Sequence, residues 1–157
     1  MKKLIGSMIL VIVLMSFQTA PKKEVAKTSK PRPVAAAATA PPTGLKAAVE
    51  RGKAVYAIQC LACHQVDGGG VPHLNAPLDG ATQVVGKNKA RLITIVLKGL
   101  AERVELDGEY YNNKMLPHPE LTDQQIADVL TYVRNSWTNK ATAVTPAEVK
   151  ATRAKIK

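Results

Sequence analysis

Large aromatics, cysteines and strand-like alternation are all scarce in this chain of 157 residues. One Phe, one Trp and four Tyr make up only 4% of it, although such side chains ordinarily supply much of the buried area of a small core. No segment alternates apolar and polar residues for long enough to mark a strand, and only Asp107-Gly108 reads as a turn, so an all-helical fold is expected. No internal repeat is present, which excludes a solenoid. The two cysteines are Cys60 and Cys63, and a disulfide between them would close a loop too short to constrain the unfolded chain. The central region also lacks a charge excess. Residues 45–140 carry eleven Lys/Arg against ten Asp/Glu, so all but one unit of the formal net charge of +10 resides in the flanks. A nucleic-acid-binding domain needs basic residues clustered on its own folded face, so no nucleic-acid partner is expected.

The flanks have their own signatures. Residues 1–20 place Lys2 and Lys3 before an apolar run from Leu4 to Phe17 and end in Gln-Thr-Ala, the layout of an export segment. Its two expected fates are cleavage as a signal peptide and retention as an N-terminal membrane anchor. Pro21 directly after the small-residue site favours retention, while the shortness of the apolar run favours cleavage. Residues 21–44 are rich in Pro, Ala and Lys and read as an extended, semi-rigid linker. The basic flanks are suited to anionic lipid headgroups.

Between the flanks lies a domain expected at 45–140. Helical spacing of apolar residues from Leu45 predicts a first helix up to Cys60, and a second is predicted from about Lys87 to Lys98, closed by Gly99. A third is predicted from a Thr122/Gln125 capping box to about Trp137. Residues 141–157 predict a short basic tail helix opened by Thr145, Pro146 and Glu148. So small a helical domain with so few aromatics is short of buried area. Something apolar and not encoded by the chain is expected to complete its core.

The Cys60-x-x-Cys63-His64 stretch indicates what that is. Two thiols on one turn can add to the two vinyl groups of a haem while the adjacent imidazole binds the iron. Three other readings compete. A thioredoxin-like redox pair needs a strand-turn-helix setting, whereas these cysteines follow a helix and precede a glycine-rich loop. A zinc site needs further ligands, for which only His73 and His118 remain. A reactive dithiol would tend to oxidise outside the cytoplasm. Met1, Met8 and Met15 all lie in the export segment, so Met115 is the sole domain methionine. It sits in a polar, Pro-containing loop, Tyr-Asn-Asn-Lys-Met-Leu-Pro-His-Pro, where a gap-filling core methionine is out of place, and it is the expected second axial ligand.

His73 and His118 read as loop histidines in water, with His118 a second choice for the distal position. Tyr110 and Tyr111 are candidates to pack at the haem edge. Glu102, Glu105, Asp107 and Glu109 read as a solvated loop face, the run Gly68-Gly69-Gly70 as a flexible turn, and Trp137 as a helix-end packing residue.

These residues together resemble a monohaem class I cytochrome c. Gly52 and Tyr56 stand eight and four residues before Cys60, where that family packs its first helix against an aromatic of its last, here Tyr132. Leu78-Asp79-Gly80 resembles the family's Leu-x-Gly, preceded by a backbone carbonyl that receives the proximal histidine's second ring nitrogen. Ala76 stands where proline is frequent, which leaves open which residue supplies that carbonyl. The resemblance implies a fold of three to five helices wrapped around one haem c, attached through two thioethers from Cys60 and Cys63, with His64 and Met115 on the iron. It implies a one-electron carrier rather than an enzyme, exported to the periplasm, either soluble or held by its N-terminal segment, with a dehydrogenase, oxidase or quinol-oxidising complex as redox partner. The Leu-Thr-Tyr-Val-Arg-Asn-Ser-Trp segment and the later Val-Thr-Pro-Ala-Glu-Val are similar to haem domains accompanying periplasmic quinoprotein and sugar dehydrogenases. The other reading is a haem enzyme or gas sensor in which Met115 leaves the iron open.

Overall fold

The computed structural model describes residues 44–156. The export or anchor segment and the linker, apart from Gly44, therefore lie outside the described residues. In chain order the elements are α1 (Leu45–Gln59), α2 (Leu61–His64), α3 (Thr82–Val85), α4 (Lys89–Lys98), β1 (Val104–Leu106), β2 (Glu109–Tyr111), α5 (Asp123–Val133) and α6 (Pro146–Lys155). No helix among the described residues is long and apolar enough to cross a membrane.

Local chemistry sets the helix boundaries. Asn88 accepts a hydrogen bond from the Arg91 amide at 3.1 Å, which starts α4 at Lys89 rather than Lys87. Thr122 and Gln125 form the expected reciprocal capping box on α5, and Thr145 and Glu148 form another on α6. Two elements escape sequence periodicity because each is a single turn: α2 carries Cys63 and His64 with Cys60 at its N-cap, and α3 contributes Gln83 and Val84 to the fold's cavity wall. The expectation of no strands is also corrected. β1 and β2 pair antiparallel, Val104 opposite Tyr111 and Leu106 opposite Glu109, around the Asp107-Gly108 turn. Both turn residues have positive φ, +51° and +86°, as a tight type I′ connection requires. Strands of three residues are too short to leave a readable alternation.

The helices are held by one close crossing and one brace. At Gly52 the backbone of α1 meets α5 so closely that a Cβ there would lie 2.0 Å from the Asp128 carbonyl oxygen. Beside the crossing, Arg51 donates to Asp128 through Nε at 2.7 Å and Nη2 at 2.8 Å, and Gln124 donates to the same carboxylate. This bidentate geometry compensates the burial of Asp128. One turn on, the rings of Tyr56, Tyr132 and Trp137 meet with centroids 5.2–5.8 Å apart, tilted or edge-on. Trp137 is drawn out of the helix into this cluster at φ +54°, so α5 ends at Val133 instead of reaching it.

α6 reads in the sequence as an appended tail, yet it packs on α4 and α5, with Val149 fully buried. Lys89 on α4 bonds Glu148 at 2.7 Å and the Ala143 carbonyl at 2.8 Å. Arg153 bonds Asp123 at 2.8 Å and the Leu121 carbonyl at 2.6 Å, at the start of α5. Ile93, Ile126 and Val149, one from each of these helices, form the centre of an aliphatic core.

Candidate functional site

Between α2, α3, α4, α5 and the hairpin lies a cavity of about 320 Å³, and Cys60, Cys63, His64 and Met115 all line it. Its walls are mainly aliphatic, including Leu78, Val84, Leu92, Val96, Leu130 and Val133. This is the space that the missing aromatics leave open. The hairpin contributes Val104, Leu106 and Tyr111 to the wall, and Tyr110 instead turns out to solvent beneath the guanidinium of Arg103, 3.9 Å from its ring centroid.

The Cys-x-x-Cys-His turn is fixed from several sides. Tyr56 donates its hydroxyl to the Gln65 carbonyl at 2.6 Å, and the Trp137 indole donates to the Val66 carbonyl at 3.0 Å. The glycine run that follows is no flexible turn. Gly70, at φ +66°, brings the returning chain so near that a Cβ would meet the Asn75 carbonyl oxygen at 2.3 Å and the Ala76 oxygen at 2.7 Å. That approach sets the Ala76 carbonyl 2.9 Å from His64 Nδ1, so Ala76 supplies the acceptor even though proline is absent there. Burial lowers the His64 pKa against the opposing pull of the Ala76 bond, so the imidazole is neutral, donates through Nδ1 and keeps Nε2 as its basic nitrogen.

Burial, with the neighbouring Cys63, pushes the Cys60 thiol up to about 11. A thiol so protonated at neutral pH is itself a poor attacking group for disulfide exchange. No cluster of three or more His, Cys, Asp or Glu among the described residues can hold a metal ion. His73, the nearest zinc candidate in sequence, is 72% exposed and faces Glu109 at 3.5 Å. His118 departs from the expectation of a solvated histidine: its side chain is only 20% exposed, it lines the cavity, and its Nδ1 lies 3.1 Å from Glu120.

Met115 is placed by backbone. Its amide donates to the Leu100 carbonyl at 2.9 Å, its own carbonyl receives the Leu100 amide at 3.0 Å, and the His118 amide reaches the Val96 carbonyl at 2.8 Å. These bonds sew the methionine loop to the end of α4. The sewing depends on Gly99, whose φ is +70° and where a Cβ would stand 2.3 Å from the Met115 carbonyl oxygen. Sequence reading identifies Gly99 as a helix cap but misses this second role, for which no local signal exists. It also misses Asp107, which reaches from the hairpin turn to bond the Thr82 amide at 3.1 Å and caps α3.

The donor set suits a large, flat, apolar ligand with acidic substituents. The cavity lining includes the cations Arg91 and Lys114 and no carboxylate, and Arg91 is steadied by its Nε bond to Gln83 at 2.9 Å. Two thiols and one imidazole meet an aliphatic wall on which the sole domain methionine also stands. These residues fit a haem.

Comparison with known proteins agrees. A family model described as cytochrome c matches residues 49–137. Cytochrome c-552 of Thermus thermophilus is 37% identical over 97 residues, covering 60% of this chain and 65% of that protein. The cytochrome c subunit of alcohol dehydrogenase (quinone) from Gluconacetobacter polyoxogenes is 36% identical over 103 residues, covering 62% of this chain and 21% of that protein. The gluconate 2-dehydrogenase cytochrome c subunit of Pantoea cypripedii is 36% identical over 107 residues, covering 63% and 23%. The chain thus spans just under two thirds of the first relative and about a quarter or less of the two dehydrogenase subunits.

Proposed function

The chain belongs to the cytochrome c family, and from that premise we propose that it is an exported one-electron carrier whose haem c is attached through Cys60 and Cys63 and ligated by His64 and Met115. Its mostly helical architecture is that of the class I cytochromes c. The observation that carries the ligand assignment is the sharing of one aliphatic cavity by the Cys-x-x-Cys-His turn and the sole domain methionine.

A haem held by Cys60, Cys63, His64 and Met115 would supply a one-electron couple, and with both side-chain ligands engaged it would leave no place for oxygen or peroxide. The chain's own residues act on that couple in definable ways. The Ala76 carbonyl fixes the His64 tautomer and keeps Nε2 basic. A Met115 thioether favours the reduced state over a second imidazole, and the aliphatic wall disfavours the extra positive charge of the oxidised state; both raise the potential. Arg91 and Lys114, both in the cavity lining, would neutralise the acidic substituents. No side chain need give or take a proton during electron transfer.

The similarity to cytochrome c subunits of quinone-linked alcohol and gluconate dehydrogenases supports a dehydrogenase-type redox partner. The export layout of residues 1–20 supports a periplasmic location, either soluble or tethered. Absorption spectra of protein matured in a host that attaches haem test the ligand assignment. A covalent haem with a weak far-red sulfur-to-ferric-iron band is expected, and Met115→Ala should abolish the band and admit carbon monoxide to the reduced protein. Ready carbon monoxide binding by the unaltered protein, with no far-red band, would overturn Met115 ligation and return the open-iron reading.

A further inference from the structure

Arg134, the residue that caps the end of α5, is only 1% exposed, and it ranks among the largest fully buried side chains. Its guanidinium is surrounded by neutral acceptors. Nε donates to the Thr142 carbonyl at 2.8 Å, Nη1 to the carbonyls of Val84 and of Gly86, the latter at 2.9 Å, and Nη2 to the Thr142 hydroxyl at 3.3 Å. Among the described residues no ion pair includes it. Glu148 acts on it from nearby, and that carboxylate is itself bound by Lys89 at 2.7 Å. Lys87 and Lys140 share the open cleft around it, so the neighbourhood is positive overall.

Burying a charge without a counter-charge is costly, and packed apolar residues could fill such a place at less cost. The location gives the charge a use. Val84, whose carbonyl Arg134 binds, and Val133, its chain neighbour, both belong to the wall of the haem cavity. The guanidinium therefore sits behind that wall, one residue removed; it is itself buried although an open cleft runs past it, so its charge is screened less than one in water. It stays protonated across the whole physiological range.

We propose that Arg134 is a built-in electrostatic bias on the haem, a fixed positive charge that holds the reduction potential up by disfavouring the ferric state. The inference rests on the reading that the cavity holds the haem. In the couple, ferric haem takes one electron from a reducing partner of the dehydrogenase kind and loses one positive charge; no bond is made or broken and no proton moves at Arg134. Because the oxidised side carries the extra charge, a nearby fixed cation penalises it more than the reduced side. Hydrogen bonds alone would hold the segments at Val84, Gly86 and Thr142 together without this consequence. The charge and the scaffold are therefore separable by substitution.

Potentiometric titration of the full-length holoprotein separates them. Arg134→Gln removes the charge and keeps part of the hydrogen bonding, and Arg134→Lys keeps the charge and loses the fork; both are compared near pH 6, where a partly buried ammonium stays charged. The expected result is a lowered potential for the Gln variant, a several-fold shift of the ferric-to-ferrous ratio at fixed poise, with the Lys variant close to the unaltered protein. Equal potentials for all three, or equal losses in both variants, would overturn the proposal. Should Arg134→Gln fail to mature, Thr142→Asp places a carboxylate beside Nη2 with the guanidinium retained. A lower potential than in Thr142→Asn is then expected, and identical potentials would overturn the proposal. An unaltered protein that takes up no covalent haem would instead defeat the reading of the cavity, which the absorption spectrum reports separately.

Discussion

Replacing Gly52 by Ala places one methyl group where α1 crosses α5. The new Cβ would stand 2.0 Å from the Asp128 carbonyl oxygen, 2.5 Å from its carbon and 2.7 Å from Tyr132 Cβ. Both backbone atoms belong to the middle of a helix and cannot swing aside, so restoring an ordinary contact of 3.4 Å requires the helices to part by about 1.4 Å. A gap of that size forfeits more than about half of the dispersion attraction along the seam. It also strains the Arg51–Asp128 pair and opens the Tyr56/Tyr132/Trp137 cluster. Overpacking of this kind costs about 3 kcal/mol or somewhat more. Alanine returns about 1 kcal/mol of helix propensity, leaving a net loss of about 2 kcal/mol. For a domain of this size that lowers Tm by roughly 8–15 °C. The assay is thermal unfolding of the haem-loaded protein followed by circular dichroism, with the absorption spectrum recorded at low temperature. The expected outcome is a lower Tm with an unchanged haem spectrum. A Tm equal to or above that of the unaltered protein would show that propensity outweighs the crossing and would refute the reasoning.

The other expectations concern the site and the brace. Cys60→Ala or Cys63→Ala should leave a haem bound by a single thioether at most, and a pyridine haemochrome spectrum typical of two links in either variant would contradict the attachment. Gly99→Ala, strained at φ +70° and pressed on the Met115 carbonyl, should weaken the far-red band and speed binding of external imidazole to the ferric protein; unchanged kinetics would detach Gly99 from the methionine loop. Burial alone would raise the Glu148 pKa, but its bonds to Lys89 and Thr145 outweigh that and hold it below the ordinary 4.5. A depressed folded-state pKa contributes stability that is present above the unfolded value and lost as pH falls through the folded one. The Tm of the unaltered protein should therefore drop more between pH 6 and pH 3.5 than that of Glu148→Gln, and parallel curves would remove this pair from the acid response.

Cys60, Cys63 and His64 are legible in the chain because their chemistry is local: three functional groups at fixed offsets on one turn. Met115 stands out as the expected second ligand by elimination, since only one methionine lies outside the first segment. The longer helices could be read from periodicity and caps, with Asn88 and the capping boxes setting their starts. Relations between distant segments could not. The crossing at Gly52, the carbonyl of Ala76 on His64 and the bonding of Met115 to Leu100 each join residues whose meeting depends on the whole packing. His118 looked solvated because its sequence neighbours are polar, but its burial is decided by α4. Trp137 looked like a helix end, and the rings of Tyr56 and Tyr132 drew it elsewhere.

By itself, then, the sequence determined the kind of chemistry: two thiols and an imidazole at the offsets of a haem-attachment motif, in a domain with few large side chains. Tertiary structure decided which carbonyl tunes the histidine, which glycine admits the methionine loop, and that a cation without a carboxylate partner lies behind the cavity wall. The reason is range. Side-chain reactivity and helix propensity act within a few residues, whereas close approach, desolvation and electric field depend on distances in space that no single stretch of chain contains.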